Sequence, residues 1–265
     1  MTKRKKVTLI SNVCIACVLV GLSIAIFTAD LTSVFISVSA PVTSGKDGVS
    51  LMFVLEDDAD QAEEIITYLQ SQSMPATFFV GGNWTTKSTK VPTADGLVSR
   101  QNSNAIMRIA GDPNFELGNH AYTNRNLAGM KESDQFAEIR NCHTRIYTLT
   151  SSTKGSNIIG GNENDIIENP EPVSMNLFLP PNGSFNKRTL RSAEKLGYRT
   201  VMWSKDATKN GQELIYNPAQ KIQGGDLILL RADTASYALL HLILNYCKTN
   251  NLGLEKVSKN IINIS

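Results

Sequence analysis

LFLPPNGSFNKRTLRSAEKLGYRTVMWSKD, residues 177–206, places a turn, a helix and a strand in immediate succession. Pro180, Pro181 and Gly183 mark the turn. Arg188 to Leu196 is predicted as a helix that stops at Gly197, and Tyr198 to Trp203 follows as a strand. The same alternation occurs on either side. Val49 to Leu55 is a nearly continuous apolar run of strand length, as expected for a strand covered on both faces. A helix is predicted from Asp58 to Gln72, with Ile65, Ile66 and Leu69 at helical spacing behind acids suited to a helix N-terminus. Ala76 to Val80 reads as a second buried strand; Asp226 to Leu230 and Ser236 to Asn250 form a further strand and helix. Strands alternating with helices predict an α/β protein with a parallel sheet or barrel. Residues 151–172 are polar and glycine-rich with two prolines, as in a surface insertion without a core of its own.

The 265 residues, 42% of them hydrophobic, suffice for one barrel-sized domain with a short appendage. Lysine and arginine total 26 against 24 acids, and much of the +2 excess sits in the opening MTKRKK, so no nucleic-acid partner is expected. The segment Val7 to Ala29 has no charged residue and reaches the roughly 20 residues that a membrane-spanning helix needs. The lysines and arginine before it predict a cytoplasmic N-terminus and a single-pass anchor in the cell membrane, with the remaining chain extracytoplasmic. A retained anchor is expected rather than a cleaved signal, because the apolar run exceeds the roughly 7–15 residues of a signal core. The cleavage candidate, Val38-Ser39-Ala40, lies well past that run and is followed by Pro41. The expected organisation is a basic tail over 1–6, an anchor over 7–29, a stalk over 30–48 and a domain over 49–262. Cys14 and Cys17 fall inside the apolar segment. The sequence leaves open whether Cys142 and Cys247 pair, and no zinc-site spacing exists among the four.

Five segments in order resemble the NodB homology domain, the polysaccharide deacetylases of carbohydrate esterase family 4, and especially its membrane-anchored, sporulation-type branch. They are VSLMFVLEDD, ATFFVGGNW, FELGNHAYTN, the 177–206 stretch and GGDLILL. The resemblance implies a distorted (β/α) barrel with its site at the strand C-termini. It also implies metal-assisted amide hydrolysis, with an Asp-His-His set holding a divalent ion, an Asp as base, an Arg orienting it and a His as general acid.

Position by position, most of that machinery is replaced. The first motif falls on Met52-Phe53-Val54-Leu55, which puts Val54 at the base position and Leu55 at the first ligand position. Sliding the motif to Asp57 and Asp58 shortens the interval to Ala76, so the unslid register is preferred and those two acids are assigned to the helix start. The second motif keeps His120 and has Asn124 for its second histidine; His120 is the single residue left for a metal. Leu179 stands for the orienting arginine, Asn182 for a tyrosine, and Arg231 for the general-acid histidine. His120, Asn124, Pro181 and Asp206 are the cleft remnants, and no catalytic residue is assigned. His143 and His241 are read as surface or core residues.

Two functional readings follow. In the first, the domain is a non-catalytic envelope module of carbohydrate or peptidoglycan metabolism, binding glycan or an envelope protein and needing no cofactor, with Trp84, Tyr122 and Trp203 as candidate sugar platforms. The second is an active hydrolase of carbon–nitrogen bonds that N-deacetylates a cell-wall polysaccharide, with zinc held by a rebuilt site drawn from His120, Asp57 or Asp58, and Asp206.

Overall fold

The computed structural model describes residues 38–94, 96–151 and 175–261. The segment 7–29 and residues 152–172 of the insertion lie outside them. No helix among the described residues is long and apolar enough to cross a membrane.

The elements among the described residues lie within Ala40–Ser265. In chain order they are β1 (Ser50–Leu55), α1 (Ala62–Ser71), β2 (Ala76–Val80), the hairpin β3 (Ser88–Thr93) and β4 (Gly96–Gln101), α2 (Asn102–Gly111) and β5 (Phe115–Asn119). Next come α3 (Glu132–Ser151), β6 (Leu177–Phe178), α4 (Lys187–Lys195), β7 (Arg199–Thr200), β8 (Lys205–Asp206) and the short α5 (Ala207–Asn210) and α6 (Glu213–Tyr216). The last three are β9 (Leu227–Arg231), α7 (Thr234–Thr249) and α8 (Val257–Asn260). Seven strands form one sheet in the order β7-β6-β5-β2-β1-β9-β8, and every pairing in it is parallel. The sheet curls into a half-barrel, the α/β architecture expected from the alternating pattern.

Side chains alternate across a pleated strand, so β1 supplies two cores. Leu51, Phe53 and Leu55 join Ile65, Ile66 and Leu69 of α1, Phe78 of β2, and Leu240 and Ile243 of α7 in the layer between sheet and helices. Met52 and Val54 point the other way, into a smaller cluster with Phe79, Leu177, Leu179, Val201, Leu227 and Leu229. That cluster fills the inside of the curl. Because the strands are parallel, their C-termini share one end of the half-barrel.

Three expectations need correction. Helix α1 starts at Ala62, so Asp57 and Asp58 precede it; both are exposed and form ion pairs, with Lys87 at 2.7 Å and Arg231 at 2.8 Å. The strand expected over 198–203 is interrupted after Thr200, because the chain turns to pair with an upstream segment: Val42 N–H donates to Thr200 O and Met202 N–H to Val42 O. Val42 is itself buried, so the stalk expected over 30–48 ends before it and the domain begins there. Cys142 and Cys247 are both buried and free, so the open pairing question resolves as two thiols.

One buried amide ties β5 to two neighbours. Asn119 Nδ2 donates to Ile139 O of α3 and to the Tyr198 hydroxyl, while its Oδ1 accepts from Ala121 N–H at 2.8 Å. Ala121 has a left-handed backbone, φ 61°, which an alanine adopts at a cost; the Asn119 acceptor holds it. Replacing Asn119 with leucine strands the buried Ala121 donor, so unfolding free energy measured in urea is expected to fall by about 3 kcal/mol. An unchanged denaturation midpoint would show that the amide contributes nothing.

Candidate functional site

At the C-terminal end of the strands lies a cleft of about 220 Å³. Val54, Leu179 and Leu229 form its apolar part, and Pro180, Gly183 and Trp203 line it alongside them. Glu56, His120, Asn182, Asp206, Thr208, Lys209 and Arg231 supply the polar groups. The apolar part follows from the pleat. Val54 faces inward and Leu55, packed among the helices, does not line the cleft. Of the two positions at which the family resemblance implies acids, one is thus an apolar wall and the other a core residue.

His120 follows β5 and is anchored through its backbone N–H, which donates to Val80 O. Its Nδ1 donates to the Leu179 carbonyl at 2.7 Å, so the neutral ring keeps its lone pair on Nε2. Burial pushes its pKa down to about 4, with the Leu179 bond opposing. His120 is therefore a neutral hydrogen-bonding group at physiological pH.

The turn that follows β6 shapes one wall. Asn182 and Gly183 both take left-handed backbone angles, φ 55° and 64°, in which asparagine and glycine are the tolerated residues. A Cβ on Gly183 would come within 2.7 Å of the Trp203 ring, so the glycine lets the indole lie against the turn. Asn182 Nδ2 donates to Asn124 Oδ1 at 2.8 Å. Asn124 is exposed, and Pro181 is buried within the turn; of the four remnants, His120 and Asp206 line the cleft.

Asp206 ends β8 and caps α5. Its Oδ1 accepts from Thr208 N–H at 3.0 Å, and Lys209 Nζ approaches its other oxygen at 3.3 Å. Arg231 ends β9 and pairs with Asp58. Both cleft cations thus have acidic partners.

Glu56 is the functional residue that motif comparison missed. It lies two positions after Val54, and period-two alternation from Val54 was the available signal that it faces the same side. Its Oε2 is buried without a hydrogen-bond partner. Burial, then the nearby Asp58 carboxylate, raises its pKa to about 7, against the pull of Arg231.

These donors do not suit zinc. Among the described residues no three His, Cys, Asp or Glu side chains gather in a metal-binding group. Leu55 offers no donor, and Asn124 Oδ1 already accepts from Asn182. Asp57 and Asp58, required by the rebuilt-site reading, are engaged with Lys87 and Arg231. Of the aromatic platforms, Trp203 lines the cleft, Trp84 is buried in the core and Tyr122 packs under Gly82. His143 bonds the Tyr198 hydroxyl, and His241 sits between the rings of Tyr68 and Tyr237; neither lines the cleft.

The His120 and Glu56 shifts act on stability with opposite signs. His120 titrates near 4 when folded against 6.5 as its ordinary value, so its contribution is present above pH 6.5 and lost as pH falls towards 4. Glu56, titrating near 7 against 4.5, contributes stability below pH 4.5 that is lost as pH rises towards 7. The difference in unfolding free energy between wild type and His120→Gln isolates the histidine. Between pH 6.5 and 4 that difference should shift against the wild type by about 3 kcal/mol. A pH-independent difference would show that His120 titrates normally.

Residues 42–156, from before β1 through α3, match the polysaccharide deacetylase family model. The Bacillus subtilis protein YlxY is 26% identical over 202 residues; the match covers 74% of this chain, which spans about half, 52%, of that relative. A family 4 carbohydrate esterase pseudoenzyme from Bacillus anthracis superposes with a TM-score of 0.63 at 20% identity, covering 83% of this chain and 68% of its own. A mutant of that pseudoenzyme has restored enzymatic activity. The chitin deacetylase of Colletotrichum lindemuthianum gives 0.64 at 13% identity, covering 86% and 93%. Residues 42–156 thus resemble the polysaccharide deacetylase family, and over most of the described domain the chain shares the fold of these family 4 carbohydrate esterase and deacetylase structures.

Proposed function

We propose that this domain is a non-catalytic module of the cell envelope that binds a cell-wall glycan in the cleft without deacetylating it. The observation that carries this reading is the replacement of the acid and the arginine by Val54 and Leu179, side by side in the cleft wall. Neither side chain moves a proton or orients a base, and Arg231 is committed to an ion pair with Asp58. What remains suits recognition. Trp203 presents an indole face beside polar groups that bond hydroxyls, the combination by which a pocket orients a sugar. Residues 7–29 would tether the domain to the membrane with the cleft on the outer side, as their apolar character and basic flank support. The resemblance to the membrane-anchored, sporulation-type branch is in keeping with that placement, and an envelope protein is the other partner class the reading allows.

One observation favours the second reading, an active hydrolase with a rebuilt site. Glu56 titrates near 7 in the cleft, where a general base works best. The experiment that separates the two is zinc content and acetate release from N-acetylglucosamine oligomers, measured on the full chain and on His120→Ala. The expected result is no acetate above a protein-free control and zinc well below one per chain. Stoichiometric zinc lost on His120→Ala, together with acetate release, would replace the binding reading with the hydrolase. In the same preparations, a cell-wall amino-sugar oligomer is expected to bind, and Trp203→Ala to weaken it by about tenfold. Wild-type affinity in that variant would remove the indole from the site.

A further inference from the structure

One acid of the cleft lacks an ion-pair partner, and that points to a ligand. Arg231 is paired with Asp58, and Lys209 with Asp206. Asp57, beside them, is paired with Lys87. His120, the group contributed from beyond β5, is neutral and bonded to Leu179. Glu56 is the acid left over: it lines the cleft and buries an oxygen that nothing in the described protein satisfies. A buried carboxylate oxygen without a partner is costly, and a proton or a cation relieves that cost.

We propose that the cleft recognises the free amine of a de-N-acetylated amino sugar, with the Glu56 carboxylate receiving the ammonium. This inference rests on the glycan-binding reading above and names the form of glycan preferred. An ammonium brings three N–H donors and a full charge, so its bond to Glu56 is charge-assisted. An acetamido group brings one N–H and no charge, and leaves the carboxylate desolvated against a neutral neighbour. The raised pKa of Glu56, caused first by burial, is what a carboxylate shows before its counter-charge arrives. Size agrees: about 220 Å³ falls below the roughly 300–1,000 Å³ of pockets for drug-sized ligands, and matches a single sugar ring lying against Trp203. Such a module would bind polymer on which deacetylation has already been performed, and the reaction class that must supply its ligand is amide hydrolysis of an N-acetylated amino sugar.

The test is titration calorimetry of the full chain with a glucosamine oligomer and an N-acetylglucosamine oligomer of equal length. It is run at physiological and at high salt, so that diffuse attraction of a polycation is screened. Wild type is expected to bind the glucosamine oligomer about tenfold more tightly or better, the effect of one charge-assisted bond. Glu56→Gln, which keeps the shape and removes the charge, should abolish the preference while the variant stays folded, with a melting midpoint no lower than wild type. Asp57→Asn, which removes an adjacent exposed charge outside the cleft, should keep it. Equal affinity for the two oligomers, tighter binding of the acetylated one, or a preference that survives Glu56→Gln overturns this inference and leaves glycan binding standing. Failure of both oligomers to bind overturns glycan binding and this inference with it.

Discussion

The pleat of β1 is the constraint on which the rest depends. The strand lies between β2 and β9, pairs in parallel with both, and is buried along its whole length. Its alternate side chains have to satisfy two different environments, a thick helix-covered layer and the narrow inside of a curled sheet. A slip of one residue exchanges the two sets and empties both cores. Phe53 stacks on Phe78 with ring centroids 5.5 Å apart, and Phe78 meets Phe115 edge-on at 5.1 Å. These stacked rings fill the outer layer, and with it they set the register that delivers Val54 and Glu56 to the cleft. Site geometry is therefore inherited from core packing.

The same constraint makes the inner end of β1 a place where apolar side chains are favoured. An acid at the end of a buried strand is a burden to stability unless a metal or a cation compensates it. Val54 and Leu179 place apolar contact there, within the inner cluster. The turn at Pro180 to Gly183 serves the chain reversal and the seat of Trp203. Core and turn are held by packing and backbone geometry, whereas charged residues at the cleft answer to whatever chemistry the cleft performs.

In and around the cleft, most charges are compensated by a partner within the protein. Asp206 is spent on capping α5 and on Lys209, and Arg231 on Asp58, which brings the loop after β1 to the end of β9. His120 is locked in one tautomer by a backbone carbonyl. Glu56 stands apart because its neighbours are committed elsewhere, and its buried oxygen is the most uncompensated feature of the site.

Local pattern alone determined the α/β class and the positions of β2 and α4, because strand runs and capping glycines are properties of short segments. Helix starts were less legible: the acids at 57 and 58 look like an N-terminal cluster, yet they are drawn to Lys87 and Arg231, residues 30 and 173 positions away. The broken strand at 198–203 and the early start of the domain at Val42 depended on one long-range bridge that no local periodicity encodes. Tertiary structure likewise decided which remnants share a cleft, that Trp203 lines it while Trp84 is core, and that Glu56 belongs there. Those facts turn on which strand ends converge and on which charges already have partners, and both are settled only when distant segments meet.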